Sequence, residues 1–217
     1  MPQPLALFDL DNTLVDRTAA LADCVTEYCA TANYGPEIAV WLSTELADRA
    51  APTDFTRLRE VFGLPETGEQ LWQRYVETMA SAVSCRPEVL EALAELRSRG
   101  WTVGVVTNGA SDIQRAKLRA TGLADLSDGV AVSGDLEVRK PDQRLFALAA
   151  RECGTILDRG GWMIGDNPAG DIGGGHEAGL HTIWLRGRPW PDGLPAAHHV
   201  VDDVTDAITI LLNETWE

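Results

Sequence analysis

The segment Leu5-Ala6-Leu7-Phe8-Asp9-Leu10-Asp11-Asn12-Thr13-Leu14 decides the architecture. Four consecutive apolar residues, with no polar alternation, read as a strand covered on both faces, the signature of a parallel sheet. Carboxylates at the tip of such a strand stand at the sheet edge where open α/β folds bind ligands. Five further short apolar runs follow, at residues 101–107, 130–133, 162–164, 182–185 and 199–201. Helical stripes separate the later ones: Val89, Leu90, Leu93 and Leu96; Leu145, Leu148 and Ala149; Val204, Ala207, Ile208, Leu211 and Leu212. Strand and helix in alternation imply right-handed crossovers and a doubly wound parallel sheet of the α/β class.

One connection is too long for that scheme. Between the first run and the second, residues 16–85 carry only helical stripes, such as Leu21, Cys24, Val25 and Tyr28, or Leu71, Trp72, Tyr75, Val76 and Met79. A parallel crossover needs only about a dozen residues including its helix. The expected organisation is therefore a core built from 1–15 and 86–217, with 16–85 inserted as a helical subdomain on two linkers near 15–18 and 81–87. Ser111 and Gln114 read as a capping box, and Pro141 and Pro168 as residues that open helices.

The 217 residues are 45% hydrophobic and 24% charged, proportions of a globular chain, not a disordered one. With 18 basic against 33 acidic residues the net charge is −15, which disfavours nucleic acid or an anionic membrane as partner. Four cysteines without a CxxC pair signal neither a disulfide framework nor a zinc site and suit a reducing cytosol. Pro4, Asp9 and Asp11 interrupt the place where a signal peptide would need an apolar run, and no stretch approaches the ~18 apolar residues of a membrane span. A soluble cytoplasmic protein is expected.

The other strand ends also carry chemistry. The second run ends Val106-Thr107-Asn108-Gly109, a hydroxyl, an amide and a flexible turn at a helix N-terminus, suited to an anion. After the third comes Arg139-Lys140-Pro141-Asp142. The fourth ends Ile164-Gly165-Asp166-Asn167-Pro168-Ala169-Gly170-Asp171, with two more carboxylates. Each alone is a weak signal: an Asx turn, a strand-to-helix turn or a surface Lys would look the same. Their order, carboxylates, Thr, Lys, carboxylates, is the stronger observation.

That order resembles the haloacid dehalogenase superfamily, whose phosphatases carry DxDx[TV], Thr or Ser, Lys and GDxxxD motifs on a Rossmann-like sheet. The match runs from Asp9 to Asp171, and the insertion stands where one large subgroup places a mobile helical cap. The resemblance implies a Mg²⁺-dependent phosphatase of a small phosphorylated metabolite. Asp9 is then nucleophile and metal ligand, and Asp11 the acid/base, with its main-chain carbonyl on the metal. Thr107, Asn108 and Lys140 would hold the phosphoryl oxygens, Lys140 also offsetting charge; Asp166 is a further metal ligand, and Asp171 orients the metal's surroundings from behind. Physically, a carboxylate attacks a phosphate only where positive charge offsets their repulsion and holds the reacting oxygens in line.

Asp11 argues against dehalogenase chemistry, since the resemblance gives that branch Tyr two residues after the nucleophile. A phosphomutase remains open, as does a phospho-acceptor switch domain that uses a similar Asp, Thr and Lys set. Arg17 reads either as a substrate contact or as a solvated hinge residue. Trp41 and Trp72 read as packing, and Gly173-Gly174-Gly175 as close helix-to-sheet contact instead of a dinucleotide loop.

Overall fold

The computed structural model describes residues 3–214. All six expected strands form: β1 (Leu5–Phe8), β2 (Thr102–Thr107), β3 (Gly129–Val132), β4 (Trp162–Gly165), β5 (His181–Leu185) and β6 (His199–Val201). They make one parallel sheet in the order β3-β2-β1-β4-β5-β6. The chain winds from β1 through β2 to β3, then crosses back to β4 on the other side. The switch in direction falls beside β1, and such a switch opens a crevice at the strand C-termini. Register fixes what lines it: Phe8 pairs with Val105 on one side and Ile164 on the other. Asp9, Thr107 and Asp166 therefore follow neighbouring strands out of the sheet at one edge.

β1 is buried on both faces because its residues divide between two cores. Ala6 and Phe8 join Val89, Leu93, Ile208 and Leu211 on one face, while Leu5 and Leu7 join Leu145, Phe146 and Ala149 on the other. The covering helices are α5 (Pro87–Ser98), α6 (Ser111–Ala120), α8 (Gln143–Glu152) and α10 (Val204–Asn213), with the short α7 (Ser133–Leu136) and α9 (Gly174–Glu177) beside them. Gly174 and Gly175 are glycines for want of space. A Cβ on the first would meet the Phe146 ring and the Pro141 backbone, and one on the second the side chains of Met163 and Thr182.

Between β1 and β2 lie only helices among the described residues: α1 (Arg17–Ala32), α2 (Pro36–Glu45), α3 (Pro52–Phe62), α4 (Gly68–Ala82) and then α5. Proline opens α2, α3 and α5, and Thr67 with Gln70 forms a reciprocal capping box on α4. Tyr28, Phe55, Trp72 and Tyr75 pack at the centre of these helices, with Phe55 and Tyr75 ring centroids 4.9 Å apart. This apolar network continues without a break into the sheet face.

Two local expectations fail. Ser111 does not cap α6; its hydroxyl donates to Asp135, and Gln114 turns into the crevice instead. Pro141 precedes the helix it was expected to open, because Asp142 caps α8 by accepting from the Arg144 amide. Pro168 behaves as expected, starting a helical turn of residues 168–173 with Asp171 in its first turn.

Candidate active site

A cavity of about 490 Å³ opens over the strand C-termini, lined by Asp9, Asp11, Thr107, Asn108, Lys140, Asp166 and Asp171. The structure thus brings together every residue singled out in the four motifs. Lys140 is their hub. Its ammonium, buried beneath the surface, donates to Asp9 Oδ1 at 2.6 Å and to the Val106 carbonyl at 2.7 Å. Asp171 Oδ1 lies 2.7 Å from the same nitrogen, in ion-pair contact but outside hydrogen-bond geometry. Burial opposes the Lys140 charge, yet Asp171 and Asp9 more than compensate and raise its pKa.

Asp171 is fully buried and accepts the Asn167 amide at 2.9 Å. Gly165 makes this possible, since a side chain there would run into the Asp171 carboxylate. Asp166 accepts from Arg188 Nε at 2.6 Å, and its carbonyl accepts from Trp184 Nε1. Asn108 commits its side chain to the backbone of Lys140, accepting from the amide at 2.9 Å.

Carboxylate oxygens of Asp9, Asp166 and Asp171 lie within 4.8 Å of one another. Burial raises the pKa of all three, that of Asp9 to about 7. Three buried acids against two cations, one of their oxygens lacking a hydrogen bond, form an all-oxygen donor set that fits a hard divalent cation.

Asp11 is held apart from this cluster. Its carboxylate receives Lys117 Nζ at 2.8 and 2.9 Å and Gln114 Nε2 at 3.1 Å, with Arg17 Nε 4.0 Å away. Burial would raise its pKa, but Lys117, Arg17 and Gln114 outweigh that and lower it. The Asp9 and Asp11 carboxylates, two positions apart, thus each have their own lysine, Lys140 and Lys117. Arg17 is not solvated: it is buried, donates to the Leu46 and Ala47 carbonyls, and lines the cavity.

Gln114, Lys117 and Arg188 were not expected here. Gln114 also donates to Thr107 Oγ1 at 2.6 Å, tying the hydroxyl to Asp11. A Lys three residues after Gln on α6 was the available signal for Lys117, since that spacing places both on one helix face.

A model described as haloacid dehalogenase-like hydrolase matches residues 6–185. The chain belongs to that family. It is 36% identical over 128 residues to a phosphoserine phosphatase of Thermus thermophilus, covering 59% of this chain and 51% of that protein, so it spans about half the relative's length. Over 193 residues it is 31% identical to the pyrimidine 5'-nucleotidase PynA of Streptococcus pneumoniae, covering 82% and 81% of the two chains. Haloacid dehalogenases occur among the relatives as well. The solved structure of the putative hydrolase YfnB of Bacillus subtilis, which holds magnesium, superimposes with a TM-score of 0.72 over 97% of this chain and 99% of that one at 23% identity.

Proposed function

We propose that this family member is a Mg²⁺-dependent phosphatase that hydrolyses a small phosphomonoester through a phosphoenzyme on Asp9. The observation that carries this reading is the Asp9 carboxylate standing just past the end of β1, bonded to buried Lys140 and gathered with Asp166 and Asp171. Asp9 and Asp166 side chains with the Asp11 carbonyl would hold the cation, which supplies positive charge against the phosphate and its attacker. Asp171 orients this set from behind.

Asp9 attacks phosphorus, forming an acyl phosphate and releasing the alcohol, whose oxygen takes a proton from Asp11. Water then attacks the phosphoenzyme while Asp11 takes a proton back. Thr107, Asn108 and Lys140 hold the phosphoryl oxygens as charge spreads over them. Lys117 and Arg17 favour the anionic form of Asp11, which suits the second half-reaction and makes the first the slower one for alkyl esters.

We assign residues 16–85 to a cap that sets substrate choice over a core of 1–15 and 86–217. The four free cysteines fit a reducing cytoplasm. The test is turnover of p-nitrophenyl phosphate with Mg²⁺. Asp9→Asn is expected to abolish it, and Asp11→Asn to slow it by about 10²-fold or more. Full activity in Asp9→Asn overturns the mechanism; a long-lived phosphoprotein formed from acetyl phosphate, without turnover, indicates a switch instead.

A further inference from the structure

In a chain of net charge −15, six of the 18 cationic side chains line this single cavity. Four are committed: Lys140 to Asp9 and Asp171, Lys117 to Asp11, Arg17 to two carbonyls, and Arg188 to Asp166. The guanidinium groups of Arg49 and Arg139 have no hydrogen bond or ion pair among the described residues. Asp48 and Glu137 line the same cavity, yet neither lies within ion-pair distance of them. Arg49 sits in the loop between α2 and α3, whereas Arg139 immediately precedes Lys140. Both are exposed side chains in the lining of the one cavity, and partial burial of Arg139, then the charge of Arg49, lowers the Arg139 pKa. Holding like charges together costs energy unless an anion joins them.

We propose that Arg49 and Arg139 form a second anion subsite, taking a carboxylate or phosphate carried by the leaving group. The preferred substrate class is thus a phosphomonoester bearing a further negative charge. A guanidinium offers a planar fork matched to both anions. The subsite draws one residue from the inserted helices and one from the sheet core, so the second anion bridges the two parts of the chain. This inference rests on the phosphatase reading.

Two matched pairs test it: 3-phosphoglycerate against glycerol 3-phosphate for the carboxylate, and fructose 1,6-bisphosphate against fructose 6-phosphate for the second phosphate. The wild-type protein is expected to favour the more charged member of at least one pair by about tenfold in kcat/KM, chiefly through KM. Whichever pair shows the preference identifies the anion. Arg49→Gln combined with Arg139→Gln should bring that ratio within about twofold, Arg49→Lys should keep part of it, and 1 M salt should reduce it. Equal turnover within both pairs, or a ratio untouched by the double substitution, overturns the subsite while leaving the phosphatase standing. No phosphate release from any of the four esters overturns both.

Discussion

At the scale of single residues, the site separates two carboxylates that stand only two positions apart. Asp9 is raised to about 7 by burial, whereas Asp11 is lowered because Lys117 and Arg17 outweigh burial. Environments that push two acids apart are how one site obtains different roles from like groups. Lys117→Met removes the cation bonded to both Asp11 oxygens. The protonated form of Asp11 then persists to higher pH. The alkaline limb of the kcat/KM profile is expected to move up by about one unit or more. A uniform loss of activity with an unmoved limb would mean that Lys117 only supports the fold. Asp9, Thr107 and Asp166 were legible because each sits at a strand end, where topology alone sets direction, whereas Lys140 and Asp171 lie farther along the chain and were legible by their order in the sequence. Gln114 was misread because S-x-x-Q is also the pattern of a capping box. The same grammar holds at Thr67 and Gln70, which face water; at Ser111 and Gln114 a carboxylate more than a hundred residues away in sequence competes for the amide and wins. Arg188 lies on a loop with no period to mark it.

At the scale of elements, every strand was visible as an apolar run; β1, β2 and β4 are buried on both faces and so leave no polar alternation to confuse with a helix stripe, while the edge strand β6 is short and partly exposed. Helix ends were less legible, because a cap depends on what the side chain finds in space. Asp203 shows what a realised cap contributes. It accepts the Thr205 amide at the start of α10 and receives Arg86, just before α5, on both oxygens at 2.7 and 2.6 Å. Hydrogen bonding to Arg86 holds its pKa at about 2, below the ordinary 3.8. The folded state therefore favours the anion, so the contribution is complete above about pH 4 and fades as pH falls toward 2. Asp203→Ala should cost about 1–2 kcal/mol at neutral pH, most of it the cap, because the ion pair is exposed and screened. Asp203→Asn keeps a capping oxygen and should cost less, while removing that acid-range component of stability. Denaturant titrations at pH 7 and pH 3 compare the three proteins; a wild-type-like pH dependence in Asp203→Asn would remove the ion pair from the account.

At the scale of the whole molecule, the charge of the crevice departs from the global charge. The surplus of acids repels polyanions, while the crevice lining balances six basic against six acidic side chains over strand ends that the sheet order brings together. Under the proposed cap reading, access to that crevice depends on how helices α1–α4 sit on the sheet, since Asp48, Arg49 and Tyr75 line it. One apolar network joins them to the sheet face, and away from the linkers a polar bond crosses the contact: buried Trp72 on α4 donates Nε1 to Asp112 Oδ2 on α6 at 2.5 Å. If residues 16–85 move as a cap, this bond is a latch, since it spans the contact without belonging to either part's own folding. Asp112→Ala leaves the indole N–H without an acceptor, at a cost of about 1–3 kcal/mol. That cost falls on the closed arrangement and vanishes when the indole reaches water. Amide hydrogen exchange in α4 is therefore expected to speed up while β1 and β2 keep their protection, and KM for a small phosphomonoester should rise. Asp112→Asn retains an acceptor oxygen and should lie between. Equal acceleration in α4 and in the central strands would show that the bond stabilises one cooperative unit, and that residues 16–85 do not open independently of the sheet.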